Sequence, residues 1–247
     1  MIELVDVHKS FGDKKILDSV SLKIEKGETF VIIGQSGVGK TTILRHIAGF
    51  FDPDRGDVLI EGVKMNGAGT RIRSRLREKM GFLFQSGALI NWLNLRENVA
   101  LPLVEHKLGT KSEIYRIVDE KLKLLQLLDD ADKMPSDISG GMKKRAGLAR
   151  AIVRNPAVIL YDEPTSGLDP VMSARINDMI TRMQAELGVT SIVVTHDMVS
   201  AYNIADRIAM LYNGTIIECG SPDQIRGSSN PIVRQFIEGS LKGPIES

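Results

Sequence analysis

The stretch Gly34-Gln35-Ser36-Gly37-Val38-Gly39-Lys40-Thr41-Thr42 restricts the possible folds more than any other part of this chain. It follows the apolar run Thr29-Phe30-Val31-Ile32-Ile33 and precedes Ile43-Leu44-Arg45-His46-Ile47, so a strand, a glycine loop and a helix succeed one another. The pattern G-x-x-x-x-G-K-[ST] falls on Gly34, Gly39, Lys40 and Thr41. In such an order the glycines let successive N–H groups converge on a phosphate, and the helix adds its positive N-terminal end. Lys40 is then placed for the terminal phosphates of a nucleotide, and the Thr41 hydroxyl for magnesium.

A chain of 247 residues can surround that loop with one large α/β domain, or one domain carrying an inserted subdomain. The net charge of +1 gives no polyanion signature, which argues against nucleic acid as the main partner. The single cysteine, Cys219, can form neither an internal disulfide nor a cysteine metal cluster; a reducing compartment and a buried structural thiol are expected. Met1-Ile2-Glu3-Leu4 opens without a basic segment and apolar core, and no run of about 18 apolar residues occurs. The expectation is a protein neither exported nor membrane-spanning, held at a membrane only through another subunit.

Alternation over residues 2 to 8 and 20 to 24 predicts half-buried antiparallel strands, with Phe11 in a loop between them. An aromatic in a Gly-flanked loop either stacks on a base or packs inward. Further strands are expected over Asp57–Gly62 and Met80–Phe84, the latter stopping at Gln85. The texture then turns helical. Thr110 and Glu113 have capping-box spacing, and Ile114, Ile117, Val118, Leu122, Leu125 and Leu128 follow at helical intervals, predicting some five turns. A second helix is predicted from Ser139 to Arg154, before Pro156. Val158–Tyr161 and Ile192–Val194 are apolar on both faces, as central parallel strands are. A helical stripe, Ile176, Met179, Ile180, Met183 and Leu187, stops at Gly188 between them. Asn213-Gly214 predicts a hairpin, and a short helix is expected over Pro231–Ile237.

Asp162-Glu163 closes one buried strand, and open α/β sheets bind ligands at the carboxyl ends of their strands. Asp162 would hold magnesium through water there and Glu163 would polarise the attacking water; a solvated acidic pair is the alternative. Thr195-His196-Asp197 ends the next strand, whereas His8, His46 and His106 have no such setting. Ser139 would cap a helix whose start, Gly140-Gly141, leaves N–H groups open to an anion. The basic residues on that helix, Lys143, Lys144, Arg145, Arg150 and Arg154, read as a solvated face or a surface for an acidic partner.

Together these residues resemble the ATP-binding subunit of an ABC transporter, over about residues 2 to 220. Gly34 to Thr42 matches Walker A, Gln85 the Q-loop, Ser139 to Met142 the signature and Val158 to Glu163 Walker B. Ser166 to Asp169 matches the D-loop and His196 the switch histidine. The signature departs from L-S-G-G-Q at Met142, whose thioether cannot make an amide's hydrogen bonds. S-G-G-M before K-K-R-A-G-L-A-R-A looks like the ATPases of the Mla/Mce lipid-transport systems, as do Phe84–Leu89 and the tail segments Asn230–Phe236 and Gly243–Ile245.

The resemblance implies an ABC-type P-loop α/β fold: a mixed sheet, an N-terminal antiparallel β subdomain and an inserted helical subdomain. The ATPase domain would occupy residues 1–222, its helical insertion about 86–156, and a tail 223–247. ATP and Mg2+ are the implied cofactors. Glu163, His196 and Lys40 take the catalytic roles, and Thr41, Gln85 and Asp162 surround the metal. Phe11 stacks on the base, and Gly34, Gln35, Ser36, Gly37, Val38, Gly39, Lys40, Thr41, Thr42 and Gln85 hold nucleotide. Ser139, Gly140, Gly141 and Asp169 contribute to the nucleotide of a second copy facing head to tail. The other implied partners are a membrane permease docking beside Gln85 and Leu89–Leu95, an Mce-domain lipid carrier and a small accessory cytoplasmic subunit, with no nucleic acid. The implied place is the cytoplasmic face of the inner membrane, and the implied work ATP-driven phospholipid transport that maintains outer-membrane lipid asymmetry. The alternatives are an importer or exporter of another solute, or a soluble ABC-type regulatory ATPase.

Overall fold

The structure is a computed structural model and describes residues 1–245. Strands β1 (Ile2–Phe11), β2 (Lys14–Ile24) and β3 (Thr29–Ile33) lead to helix α1 (Lys40–Ile47). Strands β4 (Arg55–Ile60) and β5 (Val63–Lys64), helix α2 (Thr70–Arg77) and strand β6 (Met80–Leu83) follow. Three helices come next: α3 (Leu95–Glu105), α4 (Lys111–Leu124) and α5 (Gly140–Ile152). Then β7 (Val158–Asp162), α6 (Pro170–Leu187), β8 (Thr190–Thr195), α7 (Met198–Ile204), β9 (Arg207–Tyr212) and β10 (Thr215–Gly220) alternate, and α8 (Pro222–Arg226) and α9 (Pro231–Glu238) close the chain.

The central sheet runs β10-β9-β3-β8-β7-β6, with all neighbours parallel except β10 on β9. Its strands β3, β7 and β8 are buried at every residue. Because side chains alternate across a strand, one run feeds two cores. Phe30, Ile32, Leu160, Ile192 and Val194 pack with α1 and the antiparallel sheet β2-β1-β4-β5. Val31, Ile33, Ile159, Tyr161 and Val193 pack on the opposite face with residues of α3 to α7. The strand ends at Ile33, Asp162 and Thr195 therefore share one edge of the sheet.

Several elements differ from expectation. Strands β1 and β2 extend to Phe11 and Lys14, which pair directly, so Phe11 ends a strand and Gly12-Asp13 makes the turn. Helix α4 stops at Leu124, about a turn early: Gln126 adopts φ 56°, Leu127 N–H donates to Leu122 O (2.8 Å) and Gln126 N–H to Lys123 O (3.1 Å). This is a Schellman stop with glutamine in the position glycine usually holds. Helix α3 lies outside the helices the sequence predicts, although Asn94 and Glu97 form a full capping box at its start, and α8 has one from Ser221 and Gln224. Cys219, expected inside, is exposed on β10, the outermost strand of its sheet. The hairpin at Asn213-Gly214 has φ 46° and 78° at its two turn residues, as a type I′ turn requires. The 223–247 tail is described as far as Ile245, which packs on the helical-side core with Ile232, Phe236 and Ile237; its last two residues lie outside the described part.

Candidate nucleotide site

The loop between β3 and α1 turns through Gly34, Gly37 and Gly39 at φ 150°, 77° and 114°. A Cβ on Gly39 would come within 2.9 Å of the Ile16 side chain and 3.1 Å of its carbonyl, so a side chain is excluded both by conformation and by space. Gly39 is the N-cap of α1 and supplies no side-chain acceptor, which leaves the first N–H groups of that helix facing the cleft. Lys40 is 5% exposed. Its Nζ donates to Gly34 O (2.7 Å) and Gln35 O (2.9 Å) and lies 3.5 Å from Glu163 Oε1. Burial lowers its pKa, against the opposing pull of the Glu163 carboxylate.

At the end of β7, Asp162 Oδ1 accepts the Thr41 hydroxyl at 2.7 Å. Burial raises the Asp162 pKa, while the Thr41 hydrogen bond works against the shift. A hydroxyl and a carboxylate side by side at the mouth of a phosphate loop are the hard oxygen donors that suit Mg2+, which takes one or two protein oxygens and completes its shell with phosphate and water. Glu163 turns in the left-handed region, φ 49°, and its carboxylate receives the Thr195 hydroxyl (3.3 Å) and meets His196 Nδ1 at 3.0 Å. His196 is half exposed and so stands between the carboxylate and solvent.

These groups enclose a cleft of about 290 Å³ lined by Phe11, Ser36, Gly37, Gly39, Lys40, Thr41, Thr42, Gln85, Glu163 and His196, with Ile16 as an unexpected addition. Phe11 is 47% exposed at the rim and meets Phe51 edge to face, ring centres 5.6 Å apart. Gln35 and Val38 line the adjoining cleft with Asn213 and Gly214. Gln85 donates to Ser166 Oγ at 3.4 Å. Ser139, Gly140, Gly141 and Asp169 do not line the cleft. Ser139 caps α5, accepting Met142 N–H at 3.3 Å, and is exposed with Gly140. Gly141 is buried where a Cβ would strike Met172, and Asp169 caps α6 through Val171 and Met172 N–H.

Sequence reasoning missed Thr195 as a partner of Glu163 and misplaced the basic face of α5. Lys144 is 5% exposed and donates to Glu163 O (3.0 Å) and Ser166 O (2.6 Å); burial pushes its amine down to about 8. Arg150 donates to Ala88 O (2.8 Å) and Gly87 O (2.9 Å), and Arg145 to Leu125 O (2.9 Å) and Gln126 O (3.1 Å). These cations bind main-chain carbonyls of three loops. The cue available in the sequence was the glycine at 147: a Cβ there would lie 2.9 Å from Gly87 O, which marks this side of α5 as a packed surface.

The arrangement provides a cationic phosphate cradle, a hard-oxygen pair, and a carboxylate able to accept a proton from water within one cleft. Residues 17–166 match the family model described as ABC transporter. The chain is 42% identical to the "probable ribonucleotide transport ATP-binding protein mkl" of Mycobacterium leprae, over 99% of this chain and 70% of that protein. It is 38% identical to the "intermembrane phospholipid transport system ATP-binding protein MlaF" of Escherichia coli, over 99% and 91%. Among solved structures it is similar to the ATP-binding cassette MJ0796, a dimer in a post-hydrolysis state with ADP and Pi. That likeness has a TM-score of 0.83 and 34% identity, covering 90% of this chain and 99% of that one.

Proposed function

We propose that this chain, which belongs to the ABC transporter family and is an ATP-binding, ATP-hydrolysing subunit of a transporter, powers the movement of phospholipid. The convergence of Lys40, Thr41 and Glu163 in one cleft, with Asp162 bound behind it to the Thr41 hydroxyl, carries the chemical part of this reading. The substrate is MgATP. Lys40 and the loop N–H groups neutralise the β- and γ-phosphates, Thr41, Gln85 and Asp162 would hold Mg2+, which would offset phosphate charge, and Phe11 stacks on the base. Glu163 takes the proton of the attacking water; Thr195 and His196 hold its carboxylate, and His196 shields it from bulk solvent. A head-to-tail dimer brings the partner's Ser139, Gly140, Gly141 and Asp169 to each nucleotide.

Among the described residues no helix is long and apolar enough to cross a membrane. On its similarity to MlaF, the proposal places the chain peripherally on the cytoplasmic face of the inner membrane, beneath a permease and working with an Mce-type lipid carrier and a small cytoplasmic subunit. Phe50, Phe82 and Phe84 form a cluster beside Ala88, Ile90 and Pro102, and Trp92 is 78% exposed nearby in the chain; these suit an apolar permease segment. Similarity to MlaF over nearly its whole length supports phospholipid as cargo. The similarity to mkl, a probable ribonucleotide transport protein, supports a second reading, in which the cargo is a ribonucleotide.

The two readings part on one experiment. The complex purified with its permease is assayed for ATPase in lipid nanodiscs, and its bound lipid is extracted and weighed. Stimulation by added phospholipid, with stoichiometric lipid on the complex, supports the first reading. Stimulation by ribonucleotides alone, with no retained lipid, replaces it by the second.

A further inference from the structure

Lys144 is a nearly buried cation, and among the described residues no carboxylate oxygen lies within 4.0 Å of its amine. Stripping an ammonium of water without an ion partner is unfavourable, so the position needs a compensating role. Its two acceptors are the carbonyls of Glu163 and Ser166. Glu163 is in a backbone conformation that L side chains rarely adopt, at φ 49°. Three contacts hold that turn: Glu163 N–H donates to Val194 O (3.0 Å), Ser166 N–H donates to Glu163 O (3.2 Å), and Lys144 Nζ donates to the same carbonyl. The first ties the turn to β8 and the second closes it on itself. The third, with the Lys144 bond to Ser166 O, comes from α5, whose N-cap is Ser139 and whose first turn carries Gly140 and Gly141.

We propose that Lys144 is a positioning residue for ATP hydrolysis, fixing the main chain of Glu163 and Ser166 so that the Glu163 carboxylate follows the position of α5. The inference rests on the proposed role of Glu163. Its consequence is mechanical. An anion engaged at Ser139–Gly141 moves or steadies α5, and Lys144 transmits this to the carboxylate and to Ser166, whose hydroxyl accepts from Gln85. One helix thereby links the surface that meets a partner's nucleotide to the water-activating group of its own cleft.

The test uses the full chain, assembled with its permease, in the variants Lys144→Met, Lys144→Gln, Lys144→Arg and Glu163→Gln. Methionine keeps most of the stem and removes the donors, glutamine keeps one donor group, and arginine restores charge and two-point donation. The expected result for Lys144→Met is a kcat lowered about 10- to 50-fold with KM for ATP within twofold of wild type. Lys144→Gln should fall between the two, and Lys144→Arg should return to within about threefold of wild-type kcat. A residue that merely supports folding would instead lower the fraction of nucleotide-binding protomers, leaving kcat per bound protomer unchanged. Wild-type kcat per bound protomer in Lys144→Met, or in Lys144→Gln should methionine prevent folding, overturns the proposal when Glu163→Gln is inactive. Turnover near wild type in Glu163→Gln overturns the reading of Glu163 beneath it.

Discussion

Replacing Glu163 by Gln changes one atom's chemistry in a site whose geometry should survive. The side chain keeps its length, the amide oxygen still accepts the Thr195 hydroxyl now at 3.3 Å, and the amide can still pair with His196. Lys40 loses a carboxylate 3.5 Å away but keeps the carbonyls of Gly34 and Gln35 at 2.7 and 2.9 Å, so the phosphate cradle stays formed. What disappears is the proton acceptor. A general base is worth about 10²- to 10⁴-fold, equivalent to about 3–5.5 kcal/mol of barrier at roughly 1.4 kcal/mol per decade. Binding should change in the opposite sense, because the variant no longer sets a negative charge against an incoming γ-phosphate; the Kd for MgATP should stay equal or tighten. The assay is phosphate release in a single turnover at saturating MgATP, alongside sedimentation for an ATP-held dimer. The expected variant binds ATP, dimerises and releases phosphate at least about 100-fold more slowly. Release within tenfold of wild type by fully loaded protein would refute the assignment of Glu163.

The Asp162 carboxyl has a folded pKa raised above its unfolded value of 3.8, so its contribution to stability is present below that value and is lost as pH rises through the folded pKa. Asp162→Asn should therefore raise the melting temperature of nucleotide-free protein at pH 7 while abolishing the Mg2+-dependent part of its stabilisation by ATP, both read by thermal shift. Phe11→Ala should raise KM for ATP about 5- to 150-fold with kcat within twofold, since base–aromatic stacking is worth about 1–3 kcal/mol, and Phe11→Trp should restore KM. Gly39→Ala places a methyl 2.9 Å from Ile16 at φ 114° and should abolish nucleotide binding. Gly37→Ala, with φ 77° and nothing within 4 Å, should cost about 1–2 kcal/mol of stability and keep measurable binding by calorimetry.

Local chemistry was legible in this sequence; long-range burial of charge was not. The phosphate loop, the Thr110–Glu113 capping box, the Gly188 stop and the Asn213-Gly214 hairpin each depend on residues within a few positions of one another, and each lies where the pattern put it. The stop of α4 escaped because glutamine, not glycine, occupies the left-handed position. Helix α3 escaped because Pro102 sits inside it and its apolar residues follow no single helical stripe. Lys144 escaped for a different reason. Flanked by Lys143 and Arg145 it reads as part of a solvated face, and its acceptors are main-chain carbonyls 19 and 22 residues away that carry no sequence signature. The candidate residues divide in the same way: those of the cleft are assembled by strand ends at one sheet edge, whereas Ser139 and Asp169 lie outside it.

That division bears on how the site is completed. Helix α5 is held at three places by Lys144, Arg145 and Arg150, so its N-terminus cannot swing toward its own cleft without breaking bonds to Glu163, Ser166, Gln126 and Gly87. On the proposed reading an anion engaged by exposed Ser139 and Gly140 would come from another molecule, and head-to-tail pairing of two identical chains would supply one to each. Complementation measures this directly. Lys40→Ala disables a chain's own cleft and Ser139→Arg its contribution to a partner's, so either homodimer should be inactive. In an equal mixture about half the dimers are mixed, and in each mixed dimer one site carries both lesions and the other neither, so about a quarter of all sites are intact. ATPase recovery toward about a quarter of wild type on mixing, lost again when the double variant replaces either single variant in the mixture, is the expected result. No recovery from two variants that each fold and exchange subunits would mean that Ser139 serves its own chain or no nucleotide, and the shared-site argument would fail.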